Sequence, residues 1–171
     1  MTDRESFKHY VDWVRDAHAM EEQAETMLKK MADRLEHYPL LQQRIVQHIA
    51  ETQNQQRLVR AVLERLDESN SVLKDAAAKI SAFGQGIGGL FASDEVVKGG
   101  MAGYVFEHME VASYSALISA AEYVGDLEGA TVFRQIKAQE EEMAAWLQEN
   151  LPAVTLEFLR RSDNPDLDAK R

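Results

Sequence analysis

The sequence contains no cysteine. This absence excludes disulfide bonds, thiolate-bound zinc, iron–sulfur clusters and a cysteine nucleophile. Only three of the 171 residues are proline, and no apolar run approaches the ~18 residues that a membrane-spanning helix needs. The charged residues that precede Phe7 lack the apolar core of a signal peptide. We therefore expect a cytoplasmic protein without a membrane span.

Basic residues are also scarce, with 19 lysines and arginines against 29 acidic residues and a net charge of −10. A protein that binds duplex nucleic acid normally has the opposite sign, so no nucleic-acid partner is expected. A chain of 171 residues that is 45% hydrophobic is typical of one globular domain with a substantial core. We predict that this domain covers residues 1–161 and that residues 162–171 form a polar tail.

Glycine is rare outside one segment, because seven of the nine glycines lie between Gly84 and Gly103. Elsewhere apolar residues recur every three or four positions, which predicts an all-α protein. The spacing predicts four long helices and a C-terminal helical extension that begins at Pro152 and ends at Arg161. It also predicts a short helix over residues 72–81 and an N-cap at Asp126. The long helices are predicted over residues 4–36, 40–68, 95–124 and 126–150.

The lengths of the connections predict the topology. Short turns join the first helix to the second and the third to the fourth, which indicates two antiparallel pairs. About 25 residues separate the second helix from the third, enough for the chain to return along the bundle, so these two helices could run parallel. Such a long crossover is the topology of ferritin-like four-helix bundles. The motif Gly84-x-Gly86-x-x-Gly89 matches a dinucleotide fingerprint, but no strand precedes it. We interpret it as crossover and predict no nucleotide cofactor.

Each long helix has a glutamate near its middle where the apolar stripe predicts a carbon side chain. In an aligned bundle these glutamates would share one level. Carboxylates that close together and out of water cannot all stay ionised without protons or cations. Two divalent cations would balance four or five carboxylates, so the pattern favours a dinuclear metal site. The alternative is that the four glutamates lie beside the apolar stripe and face solvent. The glutamates are Glu21, Glu51, Glu107 or Glu110, and Glu140.

Four sequence runs resemble the YciE/YciF family of bacterial stress-associated, ferritin-like proteins, with YciE as the nearer of its two reference members. The resemblance covers nearly the whole chain, and the motifs occur in the family's order. This resemblance implies a ferritin-like four-helix bundle, often a homodimer, with a candidate di-iron-type centre. The runs are RDAHAMEEQAE, HIAETQNQ, FASDEVVKGGMAGYVFEHMEVASYSAL and QEEEMAAWLQENLP.

The superfamily's metal pattern assigns a ligand role to every one of these glutamates. In that pattern Glu107 or Glu110 would bridge two metal ions and the others would be terminal ligands. Asn54 and Met143 stand where the pattern has its two histidines. The resemblance thus implies the metal ligands Glu21, Glu51, Glu107, Glu110 and Glu140.

The missing histidines bear on metal identity. Imidazole favours iron, zinc and copper, whereas an all-oxygen site also suits magnesium, calcium or manganese. Two divalent ions are the predicted cofactors, iron first, with manganese, magnesium, calcium or zinc as alternatives. His48 and His18, each one turn before a candidate glutamate, could supply a nitrogen, and Tyr104 and Tyr114 could line the site.

Two functions remain open at this stage. In the first, the dinuclear site oxidises iron or handles peroxide during stress; the retained glutamates favour it. In the second, the site is degenerate and the protein is a non-enzymatic stress protein that acts through dimerisation or a partner; the missing histidines favour it. The sequence assigns no catalytic residue to either function.

Overall fold

Four long helices make up the structure, a computed structural model that describes residues 5–66 and 96–169. No strand occurs within these two ranges, so the predicted all-α four-helix class is confirmed. The predicted helix over residues 72–81 and the glycine motif that begins at Gly84 lie outside the described residues. The helices are α1 (Glu5–Ala32), α2 (Pro39–Leu66), α3 (Val96–Val124) and α4 (Leu127–Ser162).

Contacts between helices establish the topology of the bundle. Tyr10 in the second turn of α1 donates a hydrogen bond to Asp126 at the start of α4, with 2.6 Å between the oxygens. Arg65 at the end of α2 donates to the same carboxylate at 2.9 Å. The ends of α2 and α3 therefore meet at Asp126, and α2 and α3 run parallel, as the long connection between them predicts.

The apolar interior consists of two clusters, one towards each end of the bundle. One surrounds Tyr10, Leu117 and Phe133, and the other surrounds Leu35 and Leu147. On α2 and α4 the buried apolar residues of one cluster are separated from those of the other by buried polar side chains, and on α1 and α3 buried glutamates interrupt the apolar face at the same level. This arrangement encloses a polar layer at mid-bundle between two water-excluding regions. The buried side chains of that layer are Glu21, His48, Thr52, Gln55, Glu107, Glu110 and Glu140.

The turn between α3 and α4 follows the predicted cap. Gly125 adopts a φ of 89°, a left-handed conformation that is strained for residues with a Cβ atom. Asp126 then accepts a hydrogen bond from the Gly129 amide at 2.9 Å, which satisfies one of the free amides of the first turn of α4. The predicted N-cap at Asp126 is confirmed.

Two predicted helix boundaries are wrong. The helix α1 ends at Ala32 rather than near residue 36, because hydrogen-bonded turns carry Leu35 back into the core. At the other end, α4 continues through Pro152 to Ser162, so the predicted extension is the last part of one helix. Proline removes one backbone donor, and Pro152 lies at an exposed position of the helix. None of the described helices is both long and apolar enough to cross a membrane.

Candidate metal centre

Four buried side chains from three helices converge in the polar layer. They are His48 of α2, Glu107 and Glu110 of α3, and Glu140 of α4, and one ligand atom from each lies within 4.8 Å of every other. Histidine nitrogens and carboxylate oxygens are the ligands of transition-metal sites in helical bundles. This group, the mid-bundle cluster, could therefore hold a metal ion.

The periodicity of the helices explains why these side chains point inward. Glu107 and Glu110 are three residues apart and so lie on one face of α3. Glu140 follows Phe133 and Ile136 along the buried face of α4. His48 likewise follows buried apolar residues of α2. Packing of the apolar residues on either side therefore holds the polar side chains inside.

His48 is the centre of the cluster's contacts. Its Nε2 atom lies 3.2 Å from Oε2 of Glu107 and 3.2 Å from Oε2 of Glu140. Its Nδ1 atom lies 2.7 Å from Oε2 of Glu51. The His48 ring therefore has a carboxylate on each side: Glu51 at Nδ1, and Glu107 and Glu140 at Nε2, which points towards the interior of the bundle.

Several carboxylate oxygens in the layer have no hydrogen-bond partner. A buried acceptor without a donor costs about 1–3 kcal/mol, and a charged one costs more. A bound cation would compensate these oxygens, and oxygen ligands combined with one imidazole nitrogen suit iron, manganese or zinc. The chemistry of the donor atoms therefore fits a divalent metal. The oxygens are Oε2 of Glu21, Oε2 of Glu107, Oε1 of Glu110 and Oε2 of Glu140.

Protonation compensates the same charges when no cation is bound. Burial raises the pKa of Glu107 to about 8. Burial, followed by repulsion from Glu140, raises the pKa of Glu110 and the pKa of Glu21 well above their ordinary value. Burial lowers the pKa of His48, but its carboxylate neighbours outweigh burial and raise that pKa well above its ordinary value. Protons and cations would thus compete for one site.

Glu21 lies beside the cluster but outside the group of four. Its side chain is fully buried, and its Oε1 atom accepts a short hydrogen bond from the hydroxyl of Tyr114. Repulsion from Glu140 contributes to the raised pKa of Glu21, which places the two carboxylates in the same electrostatic environment. The predicted ligand Glu21 is therefore adjacent to the cluster, with one oxygen engaged by Tyr114.

Glu51 is not brought into the cluster. Its side chain is 20% exposed, and its oxygens contact His48, Arg44 and Gln47. Partial burial raises the pKa of Glu51, but these contacts prevail and lower it to about 2. The helix phase is responsible: His48, three residues earlier on α2, occupies the inward position.

The other residues that the sequence singles out, His18, Tyr104 and Asn54, contact residues outside the mid-bundle cluster. His18 is buried with Nδ1 3.8 Å from Oε1 of Glu22, and it is not part of the mid-bundle cluster. Tyr104 packs edge-on against the His108 ring with 4.5 Å between ring centroids. Asn54 accepts a hydrogen bond from Arg57. His18 therefore adds no nitrogen to the mid-bundle cluster.

Gln55 is a site residue that the sequence analysis did not single out. Its Nε2 atom donates a short hydrogen bond to Oε1 of Glu140 and a second one, at 3.1 Å, to Oε1 of Gln139. Gln55 is fully buried and falls seven residues after His48, so its position on the inward face of α2 was the available signal.

The raised pKa values predict how the metal-free protein responds to pH. A carboxyl group whose folded pKa exceeds its unfolded value binds its proton more tightly in the folded state. For Glu107 this stabilisation is present below pH 4.5 and is lost as pH rises through about 8. His48, with a raised pKa, has the same sign. We expect the melting temperature measured in chelator to fall over this range, and to fall less in Glu107→Gln. An equal fall in both proteins would contradict the assignment to Glu107.

Comparison with known proteins gives a family and two solved relatives. Residues 5–160 match the family described as "Domain of unknown function (DUF892)". A protein of Xanthomonas campestris pv. campestris str. ATCC 33913 is 41% identical, with 94% of this chain and 100% of that chain covered and a TM-score of 0.78. The E. coli stress protein YciF is 21% identical, with 86% and 95% covered and a TM-score of 0.69.

These findings bear on the resemblance that the sequence motifs indicate. At 21% identity, the likeness to YciF shows a shared fold, so the bundle expected from the YciE/YciF family is confirmed. The family match covers most of the sequence, including every residue of the mid-bundle cluster. The chain therefore belongs to the DUF892 family.

Proposed function

We propose that the protein is a ferritin-like stress protein that binds two divalent metal ions, iron first, in the polar layer of its bundle. The supporting observation is the set of buried carboxylate oxygens that make no hydrogen bond, two of which lie 3.2 Å from Nε2 of His48. Oxidation of iron or reaction with peroxide is the chemistry that such a site would serve. YciF is itself described as a stress protein, and its likeness supports the proposed role in stress.

The proposed ligands balance the charge of the ions. Glu107 or Glu110 would bridge, while His48, Glu140 and Glu21 would be terminal ligands. Four ionised glutamates carry four negative charges, which two divalent cations neutralise, and the net charge of the chain would change from −10 to −6. Bound iron would supply one-electron redox chemistry in a layer closed to bulk water. Manganese, zinc, magnesium or calcium are the alternative ions.

The surrounding side chains would hold the ligands in place. Tyr114 donates to one oxygen of Glu21, and Gln55 donates to one oxygen of Glu140. The other oxygen of Glu21 makes no hydrogen bond, and that of Glu140 lies 3.2 Å from Nε2 of His48. Such outer hydrogen bonds fix the orientation of ligating groups and raise metal affinity. Tyr114 and Gln55 would thus direct one free oxygen of each glutamate towards the ions.

Metal stoichiometry tests this proposal. Protein purified without chelator and titrated anaerobically with ferrous ion is expected to bind two equivalents per chain, because two-metal sites use a bridging carboxylate of the kind that α3 provides. Glu110→Gln should reduce the uptake, whereas Glu142→Gln, an exposed glutamate of α4, should not. Absence of two-equivalent uptake for every divalent metal tried would contradict the dinuclear site.

The second candidate function is a stress protein with a degenerate site. Met143 packs fully buried in an apolar cluster, and Asn54 binds Arg57, so neither of the two positions that carry histidine in the superfamily offers a nitrogen to the layer. Under this alternative the carboxyl groups remain protonated and no divalent metal raises the melting temperature.

We also propose that the protein forms a homodimer through α3. Between Lys98 and Glu122 the only acidic or basic residues of α3, apart from His108, are two buried glutamates. Met101 and Val105 on the outer side are more than half exposed. An uncharged helix face is unusual on a protein with 28% charged residues and is typical of a contact between subunits. That the chain is more similar to YciE than to YciF also remains a prediction.

Sedimentation equilibrium tests the dimer. The wild-type protein is expected to sediment as a dimer, and Val105→Glu is expected to shift it towards the monomer because a charge would be buried at the contact. Ala138→Glu, which places the same charge at an exposed position of α4, serves as the control. A monomeric wild-type protein would refute the proposed interface.

A further inference from the structure

The side chain of Glu51 has no free oxygen. Its Oε2 atom contacts Nδ1 of His48 at 2.7 Å and Nη1 of Arg44 at 3.1 Å, and its Oε1 atom accepts from Gln47 at 2.9 Å. The His48 side chain is 1% exposed, whereas that of Glu51 is 20% exposed. Glu51 therefore lies on the solvent side of the imidazole ring, opposite the mid-bundle cluster.

An ionised carboxylate can only accept hydrogen bonds, so the proton of this contact is carried by Nδ1 of His48. The other ring nitrogen, Nε2, then faces Glu107 and Glu140, each at 3.2 Å. A histidine that donates through one nitrogen to a carboxylate presents the other nitrogen as a metal ligand. The ring orientation is thus determined by a partner on the same helix, three residues along.

We propose that Glu51 is a positioning residue that orients His48 as the nitrogen ligand of the centre, rather than a metal ligand itself. Arg44 and Gln47 hold the Glu51 carboxylate in place on the outer side of α2. His48 then supplies the nitrogen that Asn54 cannot. The inference rests on the proposed metal site, and it identifies the pair of residues that makes the site select transition metals over magnesium and calcium.

Affinity for cobalt(II), an optical probe for such sites, measures the effect. Glu51→Gln removes the charged acceptor and is expected to weaken cobalt binding by about 10–100-fold, the usual loss for an outer partner of a ligating histidine. The number of bound ions should not change. Glu64→Gln makes the same change of charge at an exposed position of α2 and should leave the affinity unchanged. Loss of a whole metal equivalent in Glu51→Gln would overturn the proposal, because it would make Glu51 a ligand.

A double-mutant cycle tests whether Glu51 acts through His48. His48→Asn removes Nε2 and is expected to weaken cobalt binding by itself. In that background Glu51→Gln should cause no further loss, since the residue that it positions is gone. An equal fold-loss in the wild-type and His48→Asn backgrounds would contradict the positioning role.

The ring orientation can be measured without metal. In metal-free protein with 15N-labelled histidine, we expect an exchange-protected Nδ1–H signal from His48 in the wild type and in Glu64→Gln. Glu51→Gln should lose that protection. This result would support the orientation even if the wild type bound no metal, in which case the proposed function alone would fail. A signal that is unaltered in Glu51→Gln would overturn the inference.

Discussion

Glu140→Leu is expected to raise the melting temperature of the metal-free protein and to abolish its stabilisation by metal. Glu140 is fully buried, and its charge repels Glu21 and Glu110, which contributes to their raised pKa values. His48 keeps Glu107 and Glu51 as carboxylate partners, so the substitution leaves no buried charge unpaired. Replacing a buried ionic group by an apolar side chain of similar volume is then neutral or stabilising by up to about 4 kcal/mol. At about 2–4 °C per kcal/mol for a chain of this size, the rise could reach about 15 °C. Gln55 would keep a partner in Gln139.

The response to metal should change in the opposite sense. A divalent ion at a hundred times its dissociation constant stabilises the wild type by about 2.7 kcal/mol, which corresponds to about 5–11 °C. The variant lacks a ligand and should show little or none of this increase. Thermal unfolding with chelator and with added manganese or zinc measures both effects.

Glu141→Leu is the matched control, because Glu141 is exposed on the same helix and should alter neither temperature by a comparable amount. A variant that is stabilised by metal as strongly as the wild type would contradict the assignment of Glu140. A wild type that no divalent metal stabilises, together with a more stable variant, would favour the degenerate site.

Asp126→Ala is expected to destabilise the bundle at one of its ends, where α1, α2 and α4 meet at the Asp126 side chain. The Asp126 side chain caps α4 at Gly129 and accepts hydrogen bonds from Tyr10 and Arg65. Loss of the cap costs about 1 kcal/mol, and a buried tyrosine hydroxyl without a partner costs about 1–3 kcal/mol. The half-exposed Arg65 contact adds at most about 1 kcal/mol. The sum of about 2–5 kcal/mol lowers the melting temperature by about 4–20 °C.

Asp126→Asn separates charge from geometry, since asparagine still caps α4 and still accepts from Tyr10. It should cost less than alanine at neutral pH. Burial raises the pKa of Asp126, but Arg65, Tyr10 and the Gly129 amide prevail and lower it. The charge therefore stabilises the fold above pH 3.8, and this contribution is lost as pH falls through the folded pKa. The difference between aspartate and asparagine should shrink in acid; an alanine variant that melts with the wild type would contradict the account.

The helical periodicity made most of the fold predictable. On α2 the buried positions 41, 45, 48, 52, 55, 59 and 62, with 63 beside the last of them, follow an alternation of four and three residues that is typical of packed bundles. Interruption of that pattern by polar residues correctly indicated a buried polar layer. The continuation of α4 through Pro152 was not predictable, because proline usually ends a helix. The loss of one backbone donor is tolerated here at an exposed position.

The same alternation explains why Glu51 lies outside the mid-bundle cluster. Its position, 51, is absent from the buried set, whereas His48 and Gln55 belong to it. A spacing rule of three and four residues alone admits both 48 and 51 as neighbours of the stripe, since they differ by about 60° around the helix. Which of them faces the interior is decided by packing over the whole length of α2. By contrast, Glu107, Glu110 and Glu140 fall on the buried set of their helices, and they meet as predicted.

Anomalous diffraction from crystals grown with iron or zinc would locate bound metal ions in the polar layer. We predict two anomalous peaks in the polar layer, about 3.5–4 Å apart, bound by Glu21, Glu107, Glu110, Glu140 and Nε2 of His48. Glu51 should remain hydrogen-bonded to Nδ1 and should not contact either ion. Crystals whose only metal peaks lie on the protein surface, with the polar layer metal-free, would contradict the metal centre.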